Sequence, residues 1–511
     1  MSPDTPESDT PTDAPPPSSD AITLELSLTP EDEPLLLRQP ELRTGASRRR
    51  AAGTRVSMIW HDTPEANLAQ DGLALAECHR GAIQTWQLER LVADTAIAWP
   101  PGGVTPVLEH SPIAPKPHAS HRLPVAGFEG QQRLLTSPDA PVQITLLSGT
   151  LRAITTTRPV CRVILTGENP TPLALAWSAR LRLRAPPSSL AAEAFALAQR
   201  PYPQRPLGAP SLSAAPDVST GFAFVVAHLA GVIQHHASLA GHDRGPEPVH
   251  QMRVALRRLR SATALFRRAV ACPELDDVNA RLKHIGRVLG PARDWDVFTA
   301  GTGREVGEAF PHDRPIEALL AAAERRRLES YEALSRYLAS AEWRALGIAL
   351  ADLALRRPWQ FFTPADANQA QRHAEQQRAA LSGYASHALS KRLDAVTAHG
   401  ADLSGLAIEA LHELRLHTKR LRYAAEFFSP LFPGRDTRRF LRRMMALQER
   451  LGTLNDGAVA AALMQQLPGR GPGRQYAIGV VRGYVAARAG FSRRKIDRSW
   501  QRFRRQEAFW K

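Results

Sequence analysis

Two short segments of the chain carry histidine and arginine at helical spacing, and they are copies of one another. The segment VHQMRVALRRLRSA (249–262) aligns with LHELRLHTKRLRYA (411–424). The aligned basic pairs are His250 with His412, Arg253 with Arg415, Arg257 with Lys419, Arg258 with Arg420, and Arg260 with Arg422. At about 100° per residue, four members of each copy fall on one side of a helix. Forked guanidinium groups bind phosphate and carboxylate oxygens in pairs, so each copy predicts an anion-binding ridge. The first ridge is His250, Arg253, Arg257 and Arg260, and the second is His412, Arg415, Lys419 and Arg422.

A second pair of segments obeys the same spacing of 162 residues. LGPARDWDV (289–297) aligns with LGTLNDGAV (451–459), which pairs Gly290 with Gly452 and Asp294 with Asp456. Two separate motifs in one register indicate a duplicated helical unit. We expect the two halves to pack about a pseudo-two-fold axis, with the ridges facing each other across a groove.

Other residues near the ridges are given supporting roles. Asp294 and Asp456 are interpreted as carboxylates that orient the ridge arginines by charge-assisted hydrogen bonds. The outer positive charges are Arg258, Arg420, Lys283, Arg287 and Arg293. His250 and His412 could donate to phosphate, act as general acids, bind metal or be structural; the lack of an acidic or Cys partner at ligand spacing disfavours metal. We therefore predict no catalytic residue, no metal site and no cofactor.

Charge is concentrated in the C-terminal part of the chain. The 511 residues have a formal net charge of +15. Residues 201–511 hold 47 Lys+Arg and 29 Asp+Glu, whereas residues 1–200 carry a small negative net charge. This asymmetry favours an anionic partner for the C-terminal part. A single Arg-rich helix face is more often solvated surface, but the repetition favours a binding site.

The same composition bears on location. Cys78, Cys161 and Cys272 are far apart in the sequence and form no CxxC pair, which suits a reducing cytoplasm. The acidic, Pro-rich start is unlike a signal peptide. The apolar stretch Phe222–Ile233 is too short to span a bilayer, so we expect a cytoplasmic protein with no membrane partner.

Pattern changes along the chain predict an α+β protein of two domains. Residues 1–20 are expected to be a disordered tail, 21–200 a β domain, 201–216 a Pro-rich linker, and 217–511 an all-α domain. The segments predicted as strands include ITLELSL, VQITLLSG, CRVIL and LALAWSARLRL.

The helical motifs, together with the ending SWQRFRRQEAFW, resemble the CHAD family, the conserved-histidine α-helical domains. The resemblance covers about residues 217–511. It implies two pseudo-symmetric helical bundles whose shared basic cavity binds inorganic polyphosphate. By position in the motifs, that cavity would be lined by the eight residues of the two ridges.

The N-terminal part resembles a degenerate CYTH domain, an antiparallel β tunnel that hydrolyses triphosphates with metal. The segments TLELSL and IWHDTPEANLAQDGLALAECHR carry this resemblance. Glu25 matches one expected carboxylate. Uncharged or basic residues replace the other expected charges, and they are Thr23, Ser27, Ala76, Cys78, Arg162, Ile164, Thr166 and Leu190. The resemblance therefore implies the tunnel fold without catalysis, because holding a metal triphosphate needs clustered carboxylates and cations.

These observations lead to one expectation with two alternatives. We expect a non-catalytic polyphosphate-binding protein that associates with polyphosphate granules. The alternatives are a metal-dependent triphosphatase or polyphosphatase, and a nucleic-acid-binding protein. Nucleic acid is disfavoured because only Tyr423 adds an aromatic ring to either ridge motif. The sequence leaves the oligomeric state open.

Overall fold

A computed structural model gives the fold of most of the chain. It describes residues 21–42, 53–91, 103, 107–113, 122–137, 141–204, 207–400, 403, 406–469 and 471–511. Within these ranges, the side chains of residues 136, 408, 453–458 and 489–495 are not described. The tail expected at residues 1–20 lies outside the described residues.

Among the described residues, the N-terminal domain is built on one antiparallel sheet of nine strands. The strands are β1 (Ile22–Leu28), β2 (Thr54–Asp62), β3 (Leu73–Arg80), β4 (Ile83–Arg90), β5 (Val107–Ser111), β6 (Leu123–Thr136), β7 (Gln143–Arg152), β8 (Thr157–Gly167) and β9 (Leu183–Arg184). Their spatial order is β5-β4-β3-β2-β6-β7-β8-β1-β9. An isolated antiparallel bridge joins Leu24 of β1 to Gly103, ahead of β5, so residues near opposite ends of this order meet. Of the predicted strands, ITLELSL, VQITLLSG and CRVIL are confirmed.

The prediction of a strand in the fourth segment, LALAWSARLRL, is wrong for most of that segment's length. Its first part belongs to a helix, and only Leu183–Arg184 pairs as a strand. Pro172 stands at the start of that helix, where its fixed φ is favourable and its missing N–H costs nothing. Ala and Leu are good helix formers, and their short apolar run carries no period that separates helix from strand.

Four short helices accompany the sheet. They are α1 (Glu33–Leu36), α2 (Asn67–Gln70), α3 (Thr171–Arg180) and α4 (Leu190–Leu197). The sheet and these helices enclose two main apolar clusters, one around Trp60, Phe128 and Phe195 and the other around Leu26, Ile144 and Trp177.

Charged side chains are buried between the sheet and α4. The Arg162 guanidinium lies 3.1 Å from Glu25 and 2.7 Å from Glu193, and it donates a hydrogen bond to Ser27. Burial raises the pKa of Glu25, although the attraction of Arg162 opposes this shift. Arg162 therefore stands between two carboxylates that would otherwise repel each other.

The remaining helices follow in chain order and make up the C-terminal part. They are α5 (Val218–Ser238), α6 (Glu247–Val270), α7 (Pro273–Phe298), α8 (Arg304–Ala309), α9 (Arg314–Ala339), α10 (Ala341–Leu355), α11 (Ala367–Arg378), α12 (Leu381–Thr397), α13 (Ile408–Phe428), α14 (Arg435–Gln466) and α15 (Pro472–Arg504). A π-helical segment, Thr299–Gly303, joins α7 to α8. The two copies of the basic motif lie on α6 and α13, and the two copies of the second motif lie on α7 and α14. The expected α+β organisation is confirmed.

Helix α5 is the apolar centre of this part. It is long and apolar enough to cross a membrane, but 78% of its apolar window is buried inside the fold. It packs against α6 and α10, and Phe222 contacts Phe266 and Trp359. The prediction that the apolar stretch around Phe222–Ile233 is too short to span a bilayer is therefore wrong about its length, and packing within the protein covers the helix.

Helix α10 joins the two domains. Ile348 and Ala351 belong to the apolar cluster of the sheet domain. Thr171 donates a 2.6 Å hydrogen bond to Asp352, which also pairs with Arg356 on the same helix. The sheet domain therefore docks on a helix that belongs to the helical core.

We predict that Glu89→Gln stabilises the protein above neutral pH. Glu89 is 8% exposed, and burial raises the pKa of this carboxyl to about 7; its Oε2 accepts from the Trp60 indole N–H at 3.2 Å. The pKa of Glu89 is higher in the folded state than in the unfolded state, so protonation of this carboxyl stabilises the fold. The free energy of unfolding of the wild type therefore falls as pH rises from about 4.5 to 7. Gln keeps an acceptor for Trp60 without the charge, so the gain should be on the order of 3 kcal/mol at pH 8.

The measurement is urea unfolding of both proteins at pH 5 and pH 8. The stability of the wild type should fall between the two pH values more than that of the variant. Equal slopes against pH would contradict burial of a titrating Glu89.

Candidate anion-binding site

A cavity of about 390 Å³ lies between the two copies of the basic motif, and we call it the central cavity. Helices α6, α7, α13 and α14 and the π-helical segment contribute to its wall. The lining residues are His250, Arg253, Arg257, Arg293, Asp294, Val297, Phe298, Thr302, Arg415, Lys419, Val459, Ala460 and Leu463. The expectation that the two motif copies face a common space therefore agrees with the geometry.

Apolar burial fixes the rotation of α6 and α13. On α6, Met252, Leu256 and Leu259 are buried in the helical core. On α13, Leu414 and Leu421 are buried in the same core. Because these residues occupy the inner face of each helix, the basic residues beside them must emerge along its edge. That edge borders the central cavity.

Arg253 lies beside a carboxylate and a glycine of α7. Its guanidinium lies 3.7 Å from Asp294. A Cβ built at Gly290 would lie 3.6 Å from the same guanidinium, an ordinary van der Waals distance, so the Arg253 side chain runs alongside α7. Burial raises the pKa of Asp294, while Arg253 and Arg293 oppose the shift. At this distance the contact is an ion pair without a hydrogen bond, so the predicted role of Asp294, orienting a ridge arginine by charge-assisted hydrogen bonds, stays a prediction.

Arg257 and Lys419 lie close together without a carboxylate partner among the described residues. The Nε of Arg257 is buried and has no hydrogen-bond acceptor there. Burial lowers the pKa of Lys419 to about 8, and the charges of Arg415, Arg257, Arg253 and Arg422 lower it further. Burial also lowers the pKa of Arg257. Both groups would gain from an anion placed in the cavity.

His250 stands in the first turn of α6, beside this cluster. Burial lowers the pKa of its imidazole, and Arg293, Arg257 and Arg253 add to the shift. A neutral imidazole carries one N–H donor and one acceptor. At neutral pH, His250 therefore offers a hydrogen bond to an anion rather than a sixth positive charge.

Three of the eight predicted ridge residues are not part of the cavity lining. Arg260 is exposed and extends beside Gly286. His412 is also exposed. Arg422 lies 3.5 Å from Glu426, a carboxylate that pairs with Arg258 at 3.0 Å as well. The sequence spacing therefore identified the correct helices but extended each ridge beyond the cavity.

The residues predicted to support the ridges also lie in different places. Arg293 lines the central cavity, whereas Lys283 and Arg287 are exposed on α7. Arg420 lines a different cavity. The side chain of Asp456 lies outside the described residues, and its place in the site stays a prediction.

Sequence reasoning missed a buried carboxylate in the second motif. Asp296 is 3% exposed and accepts a 2.8 Å hydrogen bond from the Tyr331 hydroxyl on α9. Arg327, also on α9, lies 3.3 Å from it. Asp296 thus braces the cavity-forming end of α7 against α9. Its neighbour Trp295, an apolar residue typical of a core, was the available signal that this stretch is buried.

Within the described part of the chain, no group of three or more His, Cys, Asp or Glu side chains is arranged to hold a metal ion. The described lining of the central cavity presents hydrogen-bond donors and positive charges with one carboxylate, Asp294. Its chemistry therefore favours binding of an anion.

One family model matches the part of the chain that contains the site. The CHAD domain family model matches residues 225–465, a range that includes every residue lining the central cavity. The crystal structure of the CHAD domain from the plant Ricinus communis is 27% identical, with a TM-score of 0.48, over 57% of this chain and 95% of that chain. PptA from Streptomyces chartreusis is 19% identical, with a TM-score of 0.42, over 56% of this chain and 100% of that chain.

A putative adenylate cyclase from Bacillus halodurans is 11% identical, with a TM-score of 0.20, over 36% of this chain and 94% of that chain. No curated protein matches the chain.

We predict that Lys419→Met stabilises the free protein at pH 7, by roughly 1–2 kcal/mol after allowance for partial exposure. The lysine pKa is lowered to about 8 in the folded state, so its positive charge opposes folding below that pH. The penalty declines as pH rises from about 8 towards 10.5, where the unfolded chain also loses the proton.

Chemical unfolding at pH 7 and pH 10 tests this, with Lys283→Met as the control, because Lys283 is exposed outside the cavity. The gain from Lys419→Met should shrink at pH 10, and the control should show none. A loss of stability at pH 7 would contradict the view that the cavity cations repel one another.

Proposed function

We propose, on the premise that residues 225–465 form a CHAD domain, that this chain binds inorganic polyphosphate in the central cavity and does not hydrolyse it. Cytoplasmic location on polyphosphate granules is part of the same proposal.

One observation carries the binding proposal: cations from both motif copies converge on one cavity. Arg253 and Arg257 come from α6, Arg293 from α7, and Arg415 and Lys419 from α13. A single carboxylate, Asp294, is present among the described lining residues. A ligand that supplies many negative oxygens in a small volume would offset this excess charge.

The spacing of the cations favours a chain of phosphates over a single one. Arg253 and Arg257 are one helical turn apart, which is about 6 Å along α6. Arg415 and Lys419 repeat that spacing on α13. Successive phosphate groups along one chain could therefore meet successive cations on both sides.

Nucleic acid fits this lining less well. Binding of unpaired bases relies on exposed aromatic faces for stacking. Phe298 is the aromatic residue among the described lining residues, and it is 3% exposed. Tyr423 is likewise buried. The site therefore offers phosphate contacts without a described surface for bases.

The non-catalytic part of the proposal is supported by the carboxylates. Hydrolysis of a triphosphate with metal needs several carboxylates that converge on the ion. In the sheet domain, Arg162 lies between Glu25 and Glu193 and forms an ion pair with each. In the central cavity, Asp294 is engaged by Arg253.

We predict that Arg253→Glu/Arg415→Glu weakens binding of fluorescently labelled long-chain polyphosphate by the full chain at least a hundredfold at ~150 mM salt. Charge-assisted hydrogen bonds are each worth about 1.5–3 kcal/mol, and the new carboxylates would also repel the ligand. The slope of log affinity against log salt should fall by about two or more. Fluorescence anisotropy with excess unlabelled DNA as competitor measures both quantities.

The matched control is Arg438→Glu/Arg442→Glu, which makes the same change in net charge at exposed positions of α14. These two positions line neither the central cavity nor the cavity that Arg420 lines. The control should weaken binding only a few-fold. Equal losses in the two variants would show that binding follows net charge alone, and displacement by DNA would reject polyphosphate as the preferred ligand.

We also predict no phosphate release from tripolyphosphate or long-chain polyphosphate with Mg²⁺ or Mn²⁺, assayed by colorimetric detection of orthophosphate. Release that persists through repurification and is abolished by Glu25→Gln would assign hydrolysis to the sheet domain and overturn the non-catalytic part. Arg152→Gln, at an exposed position of β7, is the control for that substitution.

A further inference from the structure

A second cavity, of about 500 Å³, lies elsewhere in the helical domain, and we call it the lateral cavity. It is bounded by the C-terminal half of α6 and by α11, α12 and α13. No residue that the structure describes lines both cavities. The properties of the lateral cavity must therefore be explained separately.

The lateral cavity is strongly basic. Its charged and titratable lining residues are Arg268, His387, Lys391, Arg392, His417 and Arg420, and its described lining includes no Asp or Glu. Within the described part of the chain, the four Arg and Lys side chains have no ion pair. Burial lowers the pKa of Arg392, and Arg420 adds to the shift. Such a cluster is stabilised when an anion binds.

The basic residues of α13 divide between the two cavities. At about 100° per residue, Arg415 and Lys419 lie on one side of the helix, and His417 and Arg420 on the other. The latter two therefore cannot serve the central cavity. On α12, His387, Lys391 and Arg392 follow helical spacing, so one face of that helix is directed at the lateral cavity.

Repetition of the motif does not account for this second cluster. By the offset of 162 residues, Arg420 corresponds to Arg258, and His417 corresponds to Ala255. Arg258 is paired with Glu426 at 3.0 Å, and Ala255 is buried. In the first motif copy, these two positions therefore hold an arginine already paired with a carboxylate and a buried alanine.

Part of the lateral cavity is apolar and rigid. Leu265, Ala388 and Ala395 line it beside the cations. The Tyr384 hydroxyl donates a 2.8 Å hydrogen bond to the Leu265 carbonyl, and its ring stacks on Phe266 at 5.6 Å. This wall is held in place before any ligand binds, and it suits the organic part of a ligand.

Two polar groups add hydrogen-bonding capacity. The Oε1 of Gln376 is buried and has no partner among the described residues, so it can accept from a ligand hydroxyl or amine. His417 Nδ1 lies 3.0 Å from the Ala395 carbonyl, which can only accept, so Nδ1 carries the proton. An inorganic phosphate chain has no donor for Gln376, whereas a sugar hydroxyl has one.

We propose that the lateral cavity binds a nucleotide-sized organic phosphate, with the phosphoryl groups on the Arg and Lys cluster and the organic part against the apolar wall. Each terminal phosphate carries about 1.5 to 2 negative charges, so two or three phosphoryl groups would balance four cations. The proposal does not depend on polyphosphate binding at the central cavity.

The test is calorimetric titration of the full chain with ATP as the probe, in the absence of divalent metal. The wild type should bind ATP, and Lys391→Ala/Arg420→Ala should weaken that binding at least tenfold. Both residues are exposed, so the fold should tolerate their loss. The control is Arg267→Ala/Arg378→Ala, which removes two exposed arginines on α6 and α11 that do not line either cavity and should leave ATP binding within twofold.

Two further titrations separate the cavities and the ligand classes. Arg253→Glu/Arg415→Glu should leave ATP binding within threefold, and inorganic tripolyphosphate should compete with ATP at the lateral cavity at least tenfold more weakly than ATP itself. The proposal is overturned by any of three results. These are no ATP binding at millimolar concentration, loss of ATP binding only in the central-cavity variant, and equal competition by tripolyphosphate.

Discussion

Repulsion between like charges around the central cavity is the constraint on which the helical domain depends. Arg253, Arg257, Arg415 and Lys419 border one small space, and the lowered pKa of Lys419 reflects both burial and the neighbouring guanidinium groups. Apolar side chains beneath them keep α6 and α13 in place. Burial of each Leu or Met contributes about 1.5–3 kcal/mol, so a few such residues outweigh the repulsion. The core therefore holds a cationic cluster that the charges alone would disperse.

The carboxylates near this cluster reduce the repulsion without neutralising the cavity. Asp294 lies near Arg253 at the cavity wall. Glu426 lies outside the lining, where it is shared by Arg258 of α6 and Arg422 of α13. That shared carboxylate connects the two motif copies. It also reduces the repulsion that Arg258 and Arg422 would otherwise add to the cluster. Two cavity cations, Arg257 and Lys419, have no carboxylate partner within the described part of the chain.

The sequence predicted the helices and their pairing better than the composition of the site. A fixed offset between two motifs is a property of the chain alone, so it located α6 with α13 and α7 with α14. Whether a given cation enters the cavity depends on the neighbouring helix. Arg253 lines the cavity near Asp294 of α7, whereas Arg260, two turns further along α6, is exposed. His250 borders the cavity, whereas its counterpart His412 is exposed outside the described lining. The alignment of the two motifs could not predict this difference, because it carries no information about the packing around each copy.

Helix α13 shows where duplication stops explaining the domain. Its Arg415 and Lys419 have cationic counterparts on α6, and both pairs border the central cavity. On the opposite side, His417 and Arg420 border the lateral cavity, and their counterparts on α6 are a buried alanine and an ion-paired arginine. A twofold repeat would produce both cationic faces or neither. The lateral cluster also draws Lys391 and Arg392 from α12, a helix outside the repeated motifs. The contribution of α13 to the lateral cavity is therefore specific to the second motif copy, although Arg268 of α6 also lines that cavity. Helix α13 thus supplies basic residues to two separate cavities.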